Sequence, residues 1–356
     1  MSGTRPNSPA RSRWAIPRAG LRLAALWVSA VGLACLLAGC GYGGMVWGEN
    51  LTAPYLPASH TPQPKSWPAD RLTLTWIGHA TVFINFYGTT ILTDPVLTER
   101  LAPHLGKGVN LGIRRITALP LKFDDLPPVD VVLLSHAHHD HWDEATLEYF
   151  GPQTAAVIPE GNRDIIPAGC LGEVTELAWG QETHIKGLTI RAFRVEHWGA
   201  RFGAAPRRRG FNGYVISGRG RRVVFFGDTA YYDREKLMWA LPPASQPATC
   251  PASVDWAARV NVPSADVCLL PIGDSHWHAN HASPEEAWSI FQQVHGRWFL
   301  PLHWRTFILT PRSIQPIFEP IERLRRAARR GSPEPAGGQA DRIICDEPGA
   351  TFTVPE

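Results

Sequence analysis

Val131-Val132-Leu133-Leu134-Ser135-His136-Ala137-His138-His139-Asp140-His141 is the stretch on which the fold turns. Pro127-Pro128 breaks the chain before it, and four consecutive apolar residues then read as a short strand covered on both faces. In an extended chain His136 and His138 point to the same side, which offers two nitrogens to one cation. Asp140 and His141 follow as the chain turns toward a helix, and they can aim an oxygen and a nitrogen at a second cation. Neutral imidazoles with a carboxylate suit a borderline ion such as zinc. A lone histidine is more often a surface or core residue than a ligand. Three of them with an aspartate, directly beyond a buried strand, point to metal.

Further ligands should come from other strand ends. His197 ends the run Leu188–Val195, Asp228 follows Val223–Phe226 within Gly227-Asp228-Thr229, and His303 follows Trp298–Leu302. Each alone is ambiguous, since an aspartate after a strand is often a helix cap and a histidine beside Trp198 or Trp304 can be packing. Their shared position just beyond apolar runs outweighs those alternatives. Leu72–Trp76, Val82–Phe86 and Thr90–Thr93 alternate or run apolar with turn residues between them, the pattern of a β-meander. Val157-Ile158 and Val267–Leu270 are further strand candidates. Ser283-Pro284-Glu285-Glu286 reads as a helix start, with Ser283 the N-cap, Pro284 the first helical residue and Glu286 the capping-box partner. A second amphipathic helix is expected from Ile317 to Arg330, its arginines on a solvated face. Strands interleaved with helices give a layered α/β fold. Residues 241–265, rich in Pro, Ala and Ser, read as an insertion loop.

Working outward, the 356 residues are 44% apolar and 19% charged and include 14 Trp and 14 Phe, which excludes disorder, collagen and coiled coil. Residues 1–39 hold five arginines and no acid, so the remaining chain carries 30 basic against 32 acidic side chains. A nucleic-acid partner is therefore not expected. The arginines precede an apolar run, residues 23–37, too short for a full membrane span. Leu37-Ala38-Gly39-Cys40 resembles the bacterial lipobox, which implies a signal peptide over 1–39 and lipidation of Cys40. Gly41 in the next position leans toward the outer membrane of the cell envelope; the alternative is an uncleaved anchor helix. Residues 40–70 read as a tether. Four cysteines remain, Cys170, Cys250, Cys268 and Cys345, which allow three pairings, and Cys268 within its apolar run reads as a buried thiol.

The signature Ser135–Asp143, with His197-Trp198, Gly227-Asp228-Thr229, Pro271-Ile272-Gly273, His281–Ala287 and His303–Phe307, resembles the metallo-β-lactamase fold of dinuclear zinc hydrolases. Trp76–Thr81, Leu92–Pro95 and Leu126–Asp130 narrow the resemblance to the branch that contains N-acylphosphatidylethanolamine-hydrolysing phospholipase D. The resemblance implies a four-layered αββα sandwich over 71–356. It implies His136, His138 and His197 on one Zn2+, Asp140, His141 and His303 on the other, and Asp228 between them, with iron or manganese as other metals such sites take. A metal-bridging hydroxide would attack a phospholipid or small-molecule ester, with Asp140 and His281 as catalytic candidates and His281 near the substrate phosphate. His139 falls at a variable position. His79 and Asp94 would orient ligands. His276 and His278 read as specificity-loop residues, and Arg207-Arg208-Arg209 as either a lipid-phosphate contact or a solvated turn. The competing functions are a lactonase or carboxylic-ester hydrolase on the same site, or a non-catalytic envelope lipoprotein.

Overall fold

Neighbouring side chains on a strand leave on opposite faces, so a strand that is apolar throughout must be covered twice. The computed structural model describes residues 48–101, 112–201, 209–233, 254–276, 280–330 and 340–356. In β4 (Val131–Leu133), Val131 and Leu133 enter one core while Val132 and the following Leu134 enter a second. The first core lies between two sheets. The second lies on the outer face of the first sheet, where Trp142, Leu147 of helix α1 (Glu144–Leu147) and Phe150 cover it.

The first sheet has seven strands in the order β13 (Thr351–Thr353), β1 (Leu72–Gly78), β2 (Thr81–Phe86), β3 (Thr89–Thr93), β4, β5 (Ala155–Pro159) and β6 (Val174–Leu177). Its pairs are antiparallel as far as β3 and parallel beyond it. The second has six, in the order β12 (Gly296–Leu302), β11 (Ala265–Pro271), β10 (Arg221–Phe225), β9 (Gly213–Gly218), β8 (Leu188–Phe193) and β7 (Glu182–Ile185). It is antiparallel from β7 to β10 and parallel from β10 to β12. On its outer face Ala287, Ile290 and Phe291 of helix α3 (Pro284–Gln293) pack with Phe299 and Cys268, and α4 (Glu319–Arg330) adds Ile321, Leu324 and Ala328. This is the αββα sandwich, with two mixed sheets flanked by helices.

The capping box forms as read from sequence. Ser283 Oγ accepts from Glu286 N, and Glu286 Oε2 accepts from Ser283 N at 2.7 Å. Helix α4 begins at Glu319 rather than Ile317, which puts Pro320 in the first turn, where its missing N–H breaks no helical bond. One expectation needs correction. The loop over 241–265 lies outside the described residues as far as 253, but beyond that point it contains helix α2 (Trp256–Val260) and the start of β11. Asp255 caps α2 by accepting from Ala258 N, and Trp256 is fully buried. The tether, in its described part, is held against the domain: Leu56 N donates to Ile116 O at 2.7 Å, and Asn50 bonds Arg114 through both ends of its amide. Cys170, Cys268 and Cys345 are free and buried; Cys250, Cys40 and the expected signal lie outside the described residues. Among those residues no helix is long and apolar enough to cross a membrane.

Candidate metal centre

The parallel strands of both sheets end on one edge, and the loops that leave them carry the site. Gly227, at φ +58°, lies where β10 meets the end of β4; a Cβ there would sit 2.5 Å from Ser135 Cβ. Asn212 N donates to Ser135 O and His303 N to His79 O, so the strand ends of the two sheets are bonded together. Thr229 ties two further segments to its own, accepting from Glu196 N at its hydroxyl (3.0 Å) and from Ala282 N at its carbonyl (2.7 Å). His79, Asp94, Asp274 and His303 all have positive φ. Such backbone persists only where the surroundings hold it.

All seven expected ligands converge. His136 Nε2 is 2.8 Å from His138 Nδ1, which is 3.2 Å from His197 Nε2. His141 Nε2 and His303 Nε2 lie 3.1 Å and 3.2 Å from Asp228 Oδ2, and 3.6 Å and 3.4 Å from Asp140 Oδ2. Asp228 Oδ2 is also 3.7 Å from His197 Nε2 and 3.8 Å from His136 Nε2. Ligand atoms around a tetrahedral zinc stand about 3.3 Å apart, given metal–ligand bonds of about 2.0–2.1 Å. The donor set therefore fits such an ion. Two groupings stand out, His136, His138, His197 and Asp228, and His79, Asp140, His141 and His303. His138 Nε2, Asp228 Oδ1 and His281 Nδ1 are buried without a hydrogen-bond partner.

The imidazoles are oriented from behind. His136 donates from Nδ1 to Ser135 Oγ (2.9 Å), which donates to Asp94 Oδ2; His141 Nδ1 donates to the same Asp94 oxygen at 2.6 Å. His197 Nδ1 donates to Asn280 O at 3.0 Å. His79 donates from Nε2 to Asp140 Oδ2 at 2.9 Å. Sequence reading missed Asp274, whose Oδ2 lies 3.1 Å from His303 Nδ1. It also missed Arg201, which bonds Ala137 O and Trp142 O and so clamps both ends of the histidine-rich loop. Arg209 is buried and bidentate to Asp164, neither a lipid contact nor a solvated turn, and Arg207 and Arg208 lie outside the described residues. His276 is exposed, and His278 lies outside the described residues.

Electrostatics divide the site. Burial, then neighbouring imidazoles, hold His136 far below its usual range; burial does the same for His197 and pushes His138 and His79 down to about 4. These imidazoles are neutral at pH 7, as ligands must be. For His141 burial opposes charge, but Asp228 and Asp140 outweigh it and raise the group to about 10; His303 is raised for the same reason. Burial also opposes charge on Asp140 and Asp228, and the facing imidazoles nevertheless hold both carboxyls well below their usual range. Two buried carboxylates thus demand positive charge, and either protons or a cation can supply it.

Comparison with known proteins agrees with this geometry. The beta-lactamase superfamily domain model matches residues 89–304. The chain is 28% identical over 291 residues, 78% of its length, to the mitochondrial N-acyl-phosphatidylethanolamine-hydrolyzing phospholipase D of Saccharomyces cerevisiae. It is 29% identical over 254 residues, 66% of its length, to N-acyl-phosphatidylethanolamine-hydrolyzing phospholipase D 1 of Caenorhabditis elegans. It spans only 55% and 64% of those two relatives. In fold it is similar to isothiocyanate hydrolase from Delia radicum gut bacteria, with TM-score 0.52 and 20% identity over 79% of this chain and 98% of that one. A family match over most of the chain, on an αββα sandwich with clustered histidines and aspartates at its strand ends, makes the chain a member of the beta-lactamase superfamily, with the metallo-β-lactamase fold of metal-dependent hydrolases.

Proposed function

We propose that the chain is a dinuclear zinc phosphodiesterase of the phospholipase D type, acting on lipids such as N-acylphosphatidylethanolamine and releasing a phosphomonoester and an alcohol. The observation that carries this reading is the convergence of His136, His138, His197, Asp140, His141 and His303 on Asp228 Oδ2. Similarity to two phospholipases D supports the phosphodiester over other esters. In this reading His136, His138 and His197 hold one ion, Asp140, His141 and His303 the other, and Asp228 lies between. Bound there, the ions would lower the pKa of water toward about 7 and stabilise charge developing on the attacked group.

The remaining work falls to the chain. Asp94, Ser135 and the Asn280 carbonyl keep the ring nitrogens aimed inward, and His79 holds Asp140. His281 presents an unpartnered Nδ1 3.9 Å from Asp228 Oδ2. Helix α3 begins three residues later, and its N-terminal N–H groups favour an anion in front of it. His281 would therefore meet a phosphoryl oxygen of the substrate. Trp198, stacked edge-on to His138 with ring centroids 4.5 Å apart and partly exposed, would cover the bound lipid from one side. A lipid anchor on Cys40 at the outer membrane belongs to the same proposal and is supported by residues 23–40 alone.

The test is a substrate panel on the purified chain: N-acylphosphatidylethanolamine vesicles, a chromogenic phosphodiester, acyl lactones, carboxylic esters and a β-lactam, each with and without chelator. Phosphodiester turnover that vanishes on chelation and returns with zinc is expected. Turnover confined to lactones or carboxylic esters would overturn the substrate class. Turnover indifferent to chelation would overturn the metal mechanism.

A further inference from the structure

Three imidazoles of the site are backed by groups already described, but His303 is backed by Asp274, to which the function read so far gives no part. Asp274 is buried and has a backbone φ of +55°, a region that non-glycine residues enter only when held there. Its Oδ2 lies 3.1 Å from His303 Nδ1, and its Oδ1 accepts from Thr310 Oγ1. Gly273, just before it, runs so close to the next loop that a Cβ would fall 1.7 Å from His303 O. The loop after β11 is thus pressed onto the loop after β12, with the carboxylate set behind the imidazole. Asp94 stands behind His141, hydrogen-bonded to its Nδ1 at 2.6 Å, whereas Asp274 Oδ2 approaches His303 Nδ1 to 3.1 Å as an ion-pair contact; both histidines that face Asp140 and Asp228 thus have a buried carboxylate at the rear nitrogen.

We propose that Asp274 is a positioning residue for metal binding. It fixes His303 with Nδ1 protonated and Nε2 aimed at Asp140 and Asp228, and so sets the affinity of the half-site built from Asp140, His141 and His303. The inference rests on the assignment of that half-site made under the proposed function. A carboxylate behind a ligand imidazole fixes its tautomer and raises its basicity, and losing such a partner commonly costs 10–100-fold in metal affinity.

The full chain, stripped of metal, would be titrated with zinc against a chelating dye, and separately with cobalt(II) while its ligand-field absorption is followed. In Asp274→Ala one equivalent should bind as in wild type and the other, here counted as the second, about 10–100-fold more weakly, with an altered cobalt spectrum for that equivalent. Asp274→Asn, nearly isosteric but uncharged, should fall between the two, and it carries the test alone should the alanine variant not fold. Unchanged affinity and spectrum of the second equivalent in Asp274→Asn and in any folded Asp274→Ala would overturn this inference and leave the metal site standing. A wild-type chain that takes up no metal would overturn both.

Discussion

Replacing Asp228 by alanine should lower phosphodiester turnover by on the order of 10³-fold or more, because the lost metal contribution is worth several kcal/mol. One oxygen of this residue lies 3.1–3.9 Å from a nitrogen of each of five imidazoles, those of His141, His303, His197, His136 and His281. Without it, both histidine groups lose their shared anion, and the positive charge drawn onto His141 and His303 is left buried with less compensation. Removing one partner of a buried charge cluster is far costlier than never having built it. Asp228→Asn keeps the shape and supplies a neutral oxygen, so it should lose most activity while retaining the fold. Steady-state kinetics on whichever phosphodiester the panel identifies, with melting temperature as the control for folding, decide the matter. Near-wild-type turnover in a folded Asp228→Asn would show that the carboxylate does not hold the reacting centre together.

The second large effect is on stability in acid. In the metal-free folded chain His79 and His138 titrate near 4, because burial disfavours their charged form, against about 6.5 when unfolded. Between those values the unfolded chain binds more protons, so stability rises with pH across the window and is lost as pH falls through it. Each offset is worth on the order of 3 kcal/mol. His141 acts in the opposite sense: its folded value near 10 gives stability that is fully present below about 6.5 and lost as pH rises toward 10. The metal-free protein should therefore be most stable near neutrality, and its melting temperature should drop by about 10 °C or more between pH 6.5 and 4.5. Zinc affinity should also fall as pH is lowered from about 10, since His141 and His303 carry protons in the metal-free fold that must leave before either imidazole can bind metal. A melting temperature that stays flat from pH 6.5 to 4.5 would mean that these imidazoles are not buried in neutral form.

The parts of the molecule that were legible in the sequence are those where one local rule suffices. A wholly apolar run followed within two residues by a histidine or aspartate marks a buried parallel strand and the residue it delivers, as at Val131–His136, Val223–Asp228 and Trp298–His303. Helix α3 was legible because its capping box and proline occupy fixed positions. The edge strands β6 and β7 were not, because Val174–Leu177 and Glu182–Ile185 are half-exposed and their mixed polarity looks like loop. Strand β13 is three residues long and depends on pairing with β1, far away in sequence. Composition hid α2, whose cap Asp255 and buried Trp256 sit among prolines and alanines. Asp274 carried the same signal as Asp94 and Asp228, an aspartate at the end of a parallel strand. Its role appears only when the next loop brings His303 against it. Arg201 carried no local signal, since its partners are backbone carbonyls some sixty residues earlier.

The most direct measurement is the metal content of the purified chain, by elemental analysis, beside variants in which His136 or His303 is alanine. Two equivalents per wild-type chain and roughly one in each folded variant, the loss on the His136 side distinct from that on the His303 side, are expected. A folded, active wild-type chain that holds no metal would contradict the account, however closely its histidines and aspartates are gathered.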